Sequence, residues 1–167
     1  IIDRGELGEI VFAQIDMHAI PHWQDFLKEY DRLTLANMSV HHLDVLRFLF
    51  GEPEEITTQT RPDPRTAFSH RDGITVSTLR FPSGVLAVSV EDVWSGPRGD
   101  GFRDDQHIAW RVDGTEGVAK GTIGWPTGVA STLTYASRRT TGGEWVSPSW
   151  ETMWFPHAFI GVMGQLQ

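Results

Sequence analysis

Asn37, His41 and Asp44 are the residues whose types and spacing best suit chemistry. They stand four and three positions apart in the run Asn37-Met38-Ser39-Val40-His41-His42-Leu43-Asp44. On a helix that spacing puts all three side chains on one face. His42 lies about 100° further round and leaves that face. An amide or carboxylate can orient an imidazole, and an imidazole moves protons near neutral pH. The stripe therefore reads as a candidate acid–base face, with Asn37 and His41 catalytic and Asp44 behind them. The plainer alternative is a helix-surface histidine, with Asp44 paired to a neighbour such as Arg47. Spacing alone favours that alternative.

Other constellations are weaker. His18 and His22 have H-x-x-x-H spacing, but Pro21 argues against a helix there. In an extended chain they would stand ~13 Å apart at ~3.3 Å per residue, too far to share one metal ion, so no metal site is expected. Gly99-Asp100-Gly101 is only a G-x-G, it precedes a strand rather than a helix, and it lacks the third glycine of a dinucleotide fingerprint. It reads as a surface loop, of a kind that can act as a lid, with Arg98 and Arg103 as its cations. The 7 tryptophans could stack on sugar rings or line an interface. Packing against a sheet accounts for most of them. Trp23 and Trp94 stand apart, at loop edges rather than inside alternating strands. No G-x-S-x-G is present, and Ser39 points to a different helix face from His41.

The elements that must position these residues follow from periodicity. Val11, Ala13, Ile15 and Met17 alternate with Phe12, Gln14 and Asp16, as in a strand. Residues 18–34 lack either period and read as a long loop with one short turn. A helix is predicted over 35–50, with apolar positions at Val40, Leu43, Leu46, Leu49 and Phe50. Gly51 suits its C-terminal cap, and Pro53 prevents continuation. Strands follow at 54–60, 74–81 and 85–94, the last two joined by the turn Phe81-Pro82-Ser83-Gly84. Residues 106–112 and 118–123 form a second hairpin. Residues 131–137 and 144–147 bracket a turn at 141–143, and a helix begins near 155 with Pro156 in its first turn. One helix followed by a run of antiparallel hairpins makes the fold class α+β. No internal repeat or interdomain linker is visible, so residues 1–167 read as one domain.

Composition narrows the function classes. The chain has 167 residues, with 14 Lys+Arg against 22 Asp+Glu and a net charge of −8. That balance, without a basic cluster, argues against a nucleic-acid partner. The absence of cysteine excludes a thiol nucleophile, a disulfide framework and an iron–sulfur cluster. No apolar run approaches the ~20 residues of a membrane span. No signal peptide opens the chain, and a cytoplasmic protein is expected. The sequence starts at Ile1 without methionine and stops within what reads as an unfinished helix. A fragment cut at both ends is the expectation.

Several of these segments together resemble a known family. Gly5-Glu6-Leu7-Gly8-Glu9-Ile10 leads into the first strand. The helix carries His41-His42-Leu43-Asp44-Val45-Leu46-Arg47-Phe48-Leu49-Phe50-Gly51-Glu52-Pro53. Val112-Asp113-Gly114-Thr115-Glu116-Gly117 and Trp154-Phe155-Pro156-His157-Ala158-Phe159 complete the set. These resemble the C-terminal domain of the glucose–fructose oxidoreductase / inositol dehydrogenase family (Gfo/Idh/MocA), across nearly the whole chain. The resemblance implies a two-domain enzyme. A Rossmann domain, absent from this chain, binds NAD or NADP, and the α+β domain supplies a large, mostly antiparallel sheet with helices on one face, whose outer face packs on another subunit.

By the same resemblance, His41 matches the histidine of a D-x-x-x-H motif and Asp44 matches an aspartate three residues later. Asn37 stands where the family usually has the catalytic Asp. An amide cannot stabilise an imidazolium with a negative charge, so a weaker base is implied than the Asp provides. The family's lysine, from a Glu-Lys-Pro motif, is missing, as is G-x-G-x-x-G. The expected activity of the parent protein is NAD(P)-dependent oxidation of a sugar, polyol or cyclitol hydroxyl. The fragment alone is expected to be inactive and to bind no cofactor. His22, Trp23, Trp94 and Arg98 are the expected substrate contacts, and a homo-oligomer through the sheet is the expected assembly. The alternative is a non-catalytic ligand-sensing or oligomerisation domain of a regulator in the same family, which Asn37 favours. A sugar-binding module is a third class, suggested by the tryptophans.

Overall fold

The computed structural model of the chain describes residues 1–19, 25–94, 106–124, 129–149 and 160–165. The two-residue alternation beginning at Val11 becomes strand β1 (Ile10–His18), with Ala13, Ile15 and Met17 buried and Gln14, Asp16 and His18 on the other face. A single 3-10 turn covers Asp25–Glu29, within the expected loop. The predicted helix is present but divided. Its first turn, Leu35–Ser39, is widened to π geometry, and α1 proper runs Val40–Phe50. The amides of Asn37, Met38 and Ser39 all point at the carbonyl of Thr34, at 3.2, 2.8 and 2.9 Å. Gly51 ends α1 at φ 88, a left-handed conformation that a residue with a Cβ adopts only at a cost, and its amide bonds the Arg47 carbonyl at 2.8 Å.

Among the described residues six more strands follow: β2 (Glu55–Arg61), β3 (Ile74–Arg80), β4 (Leu86–Asp92), β5 (His107–Gly114), β6 (Gly117–Ile123) and β7 (Thr132–Ser137). They form one sheet in the order β2-β3-β4-β1-β5-β6-β7. Only β1 and β4 run parallel, and every other neighbouring pair is antiparallel. The predicted α+β class stands. The β3–β4 turn closes through the Gly84 amide to the Phe81 carbonyl at 2.9 Å. The expected strand at 144–147 is reduced to one bridge, Tyr135 with Val146. Pro148 follows closely and has no amide to extend the ladder. Of the expected last helix, α2 (Ile160–Gln165) is described, whereas 155–159 lie outside the described residues.

The core lies between α1 and one face of the sheet. Leu46 packs with Ala13, Ile15, Met17, Leu79, Phe81, Ala87, Ile108 and Val112, and Leu43, Met38 and Phe50 border them. The opposite face of the sheet is not covered by α1. The Gly-Glu-Leu-Gly segment is a clasp between the chain start and the far edge. Leu7 enters the core, and Ser137 Oγ donates to the Glu6 carbonyl at 2.5 Å. Thr140 Oγ1 donates to the Glu6 carboxylate at 3.0 Å, and that bond, with Arg4, holds the carboxyl below its usual range. Gly8 has φ 75, and a Cβ there would stand 2.4 Å from Thr115 Oγ1. Glycine is therefore required where the clasp passes the β5–β6 turn.

Candidate functional site

Two buried carboxylates fix the helix that carries the candidate residues. Asp72, just before β3, is fully buried and accepts the Leu33 and Leu35 amides at 2.6 and 2.9 Å. It thereby satisfies amides that the widened first turn leaves without helical partners. Thr34 Oγ1 donates to the Asp72 carbonyl at 2.6 Å. Glu91, on the core face of β4, is the second anchor. His42 Nδ1 donates to its Oε1 at 3.0 Å, Ser89 Oγ donates to the same oxygen at 3.2 Å, and Ser39 Oγ donates to Oε2. Ser39, His42, Ser89 and Glu91 are all buried. A charge in that position must be paired and hydrogen-bonded, and this network does both.

With His42 turned inward, its neighbour His41 is turned out to the exposed face of α1. Asn37 is half-buried and lies in the widened turn. Neither side chain is hydrogen-bonded among the described residues. The structure therefore does not join Asn37 to His41, and the π turn is the reason: the predicted i, i+4 alignment assumes an unbroken α-helix. Asp44 is exposed, 3.4 Å from Arg47 Nη1. Arg47 Nε also donates to both Glu52 carboxylate oxygens, at 3.2 and 3.1 Å, and these bonds hold the Glu52 carboxyl below its usual range. Asp44 thus has the Arg47 partner of the plainer reading.

The face of α1 around His41 is unusual for a solvent-facing helix. Val45 and Phe48 lie four and seven residues on, at 47% and 86% exposure. Exposed apolar residues in one stripe mark a surface that something covers. Beside the helix, a groove of about 580 Å³ is lined by Val45, Leu46, Leu49, Trp110, Ile123 and Leu133.

Of the expected substrate contacts, only Trp94 is described. His22, Trp23 and Arg98 lie outside the described residues. Trp94 is half-buried after the end of β4, with the Arg65 guanidinium 4.5 Å from its ring centroid. Arg65 is itself held by Asp63 at 2.5 Å and Asp92 at 2.6 Å. Burial pushes the Asp63 carboxyl up, but the bonds from Arg65 and Thr66 outweigh it and leave it below its usual range. Glu91 was missed in the sequence, although its signal was there. It falls on the same side of the β4 alternation as Ala87 and Ser89, and a carboxylate on a core face needs a partner.

The GFO/IDH/MocA C-terminal domain matches residues 1–120. The chain belongs to the GFO/IDH/MocA family. No curated protein matches it by sequence. Several solved structures share the fold. An oxidoreductase from Agrobacterium radiobacter, in complex with NAD+, L-tartaric acid and magnesium, has a TM-score of 0.69 at 16% identity, covering 93% of this chain and 43% of that one. Aldose-aldose oxidoreductase from Caulobacter crescentus, complexed with glycerol, has a TM-score of 0.64 at 17% identity, covering 91% and 43%. WlbA dehydrogenase from Bordetella pertussis, in complex with NADH and UDP-GlcNAcA, has a TM-score of 0.59 at 16% identity, covering 72% and 35%. The chain thus spans less than half the length of these relatives. The family match includes the π turn and α1, and with them Asn37, His41 and Asp44. Among the described residues, no helix is long and apolar enough to cross a membrane.

Proposed function

We propose that this chain is the C-terminal domain of an NAD(P)-dependent oxidoreductase acting on a sugar, polyol or cyclitol hydroxyl. The observation that supports it is the outward face of α1. His41, turned outward because its neighbour His42 is held beneath the helix by Glu91, stands among exposed apolar residues on a GFO/IDH/MocA domain. The chain has no glycine-rich phosphate turn of the dinucleotide type. NAD or NADP would therefore be held mainly by another domain, seated against the α1 face, and none by this domain alone. The cofactor would accept the hydride. His41 would take the proton from the hydroxyl on the carbon that releases the hydride, and Asn37 would hold a substrate hydroxyl. Asp44, with Arg47, would steady the helix surface. His22, Trp23, Trp94 and Arg98 are the proposed substrate contacts. A second copy would pack on the sheet face opposite α1, and the cytoplasm is the proposed location.

The test is NAD(P)H formation by the parent protein across a polyol and sugar panel. His41→Ala is expected to lose at least 100-fold in kcat/KM, the usual scale for a general base. Undiminished turnover would remove His41 from the mechanism. Asn37→Asp, which restores the family's carboxylate one turn before His41, is expected to raise kcat. A specific observation favours a second reading. Asn37 occupies the position of the family's Asp, as in a ligand-sensing or oligomerisation domain of a regulator. Ligand binding without any turnover, in both the native protein and Asn37→Asp, would select that reading.

A further inference from the structure

On the sheet face opposite α1, the pairing of β1 with β5 brings together three groups that the sequence keeps far apart. His18 and His107 are direct cross-strand partners, and Asp16 lies two residues from His18 on the same face. Their candidate ligand atoms all lie within 4.8 Å of one another. His107 Nε2 is 3.4 Å from Asp16 Oδ2, and His18 Nε2 is 3.6 Å from Asp16 Oδ1. Ligands about 2.0–2.1 Å from a shared tetrahedral ion stand about 3.4 Å apart. Each imidazole already stands near that spacing from one oxygen of the Asp16 carboxylate. We infer that Asp16, His18 and His107 form a binding site for a divalent transition metal of the zinc type.

Two further features fit a metal. His18 Nδ1 lies 3.3 Å from the Trp94 carbonyl. A carbonyl can only accept, so Nδ1 carries a hydrogen and Nε2 is the ring's candidate ligand atom. An outer hydrogen bond of this kind is how metal-ligating histidines are usually oriented. The three side chains are also each about 30% exposed in the single chain, open to an ion before any second copy packs on this face. Asp92, the neighbour of His18 on β4, is engaged by Arg65 at 2.6 Å and by the Trp94 amide at 2.9 Å. It does not fill the fourth position. The described residues thus supply three ligands, and the open position leaves room for water or an exogenous group. Asp16 also borders a groove of about 400 Å³ on this face, lined with Gln14, Arg111, Lys120 and Thr122. Two histidines and one carboxylate with an open position suit Zn²⁺, or Fe²⁺ in a wider coordination sphere.

The site is independent of the reading given to His41, and its test reads metal rather than turnover. Untagged protein, stripped with EDTA, is titrated with Zn²⁺ by calorimetry and with Co²⁺ by visible absorption. One ion per chain, with the ligand-field bands of low-coordinate Co²⁺, is expected. Asp16→Asn and His107→Gln should each weaken Zn²⁺ binding at least tenfold, while His41→Ala leaves it unchanged. Absence of saturable binding to the native protein would overturn the inference. So would unaltered affinity in both Asp16→Asn and His107→Gln, because the ion would then lie elsewhere. The native Co²⁺ spectrum decides the matter even where a variant folds poorly.

Discussion

Removing the Glu91 carboxylate should loosen α1 specifically. Glu91→Ala leaves three buried donors without their acceptor: Ser39 Oγ, His42 Nδ1 and Ser89 Oγ. The two hydroxyls can rotate towards other oxygens, but the imidazole N–H cannot, because its ring is fixed at 5% exposure beneath the helix. Removing one partner of a buried charged pair costs about 3–5 kcal/mol. The rotating hydroxyls place the expected loss at the lower end, about 3 kcal/mol, or on the order of 100-fold in the opening equilibrium. That is within the total of about 5–15 kcal/mol for a typical domain, so the variant should still fold. Hydrogen exchange at the α1 amides reads the opening directly. Protection across Val40–Phe50 should fall by about two decades, whereas β5 and β6, on the other side of β1, should change little. Glu91→Gln should fall between the two proteins, since an amide keeps one accepting oxygen. A loss of less than about 1 kcal/mol, roughly fivefold, would show that the network does not anchor the helix.

Two further perturbations test the frame around the site. Gly114→Ala places a Cβ 2.2 Å from the Leu7 carbonyl oxygen and 3.0 Å from Leu7 Cβ, where backbone rather than a mobile side chain must move. A loss of about 1–3 kcal/mol in urea unfolding is expected, and an unchanged midpoint would mean that the clasp is not held as described. Asp63 has a folded-state pKa below its ordinary value, so the unfolded chain binds more protons in the intervening range. Its contribution is therefore complete above pH about 4, the unfolded value, and is lost as pH falls through the depressed folded value. Arg65→Met removes the bonds but not the burial, so acid unfolding should begin at higher pH than in the native protein. Coincident acid transitions would contradict that linkage.

Local signals made much of the fold legible. The alternation at Ala13, Ile15 and Met17 gives β1, and the Gly51-Glu52-Pro53 stop gives the end of α1, because both depend on neighbours in the chain. The strands flanking Phe81-Pro82-Ser83-Gly84 were readable for the same reason. The failures are non-local or break a period. Val146 alternates acceptably, but only one bridge forms before Pro148. The π turn depends on Asp72, which draws the Leu33 and Leu35 amides from 37 or more residues away. No periodicity in 35–50 could announce it. His107 meets His18 through register alone, 89 positions away, and no spacing within 18–22 could announce it.

The adjacent histidines show how a local pattern and a long-range contact combine. Sequence spacing placed His41 and His42 on different faces, without saying which face would be the buried one. Glu91 decides it. The β4 alternation puts its carboxylate on the core side with Ala87 and Ser89, where it must find donors. The element covering that part of β4 is α1, and the donors within reach are Ser39 and His42, three residues apart on one side of the helix. Once His42 is drawn inward, the rotation of about 100° per residue turns His41 outward, with Val45 and Phe48 beside it. The orientation of the candidate base is therefore set by a carboxylate that need not touch any substrate. A substitution at Glu91 should act on His41 through the helix, lowering kcat/KM in proportion to the loss of α1 protection, whereas Asp44, outside this network, should show no such proportionality.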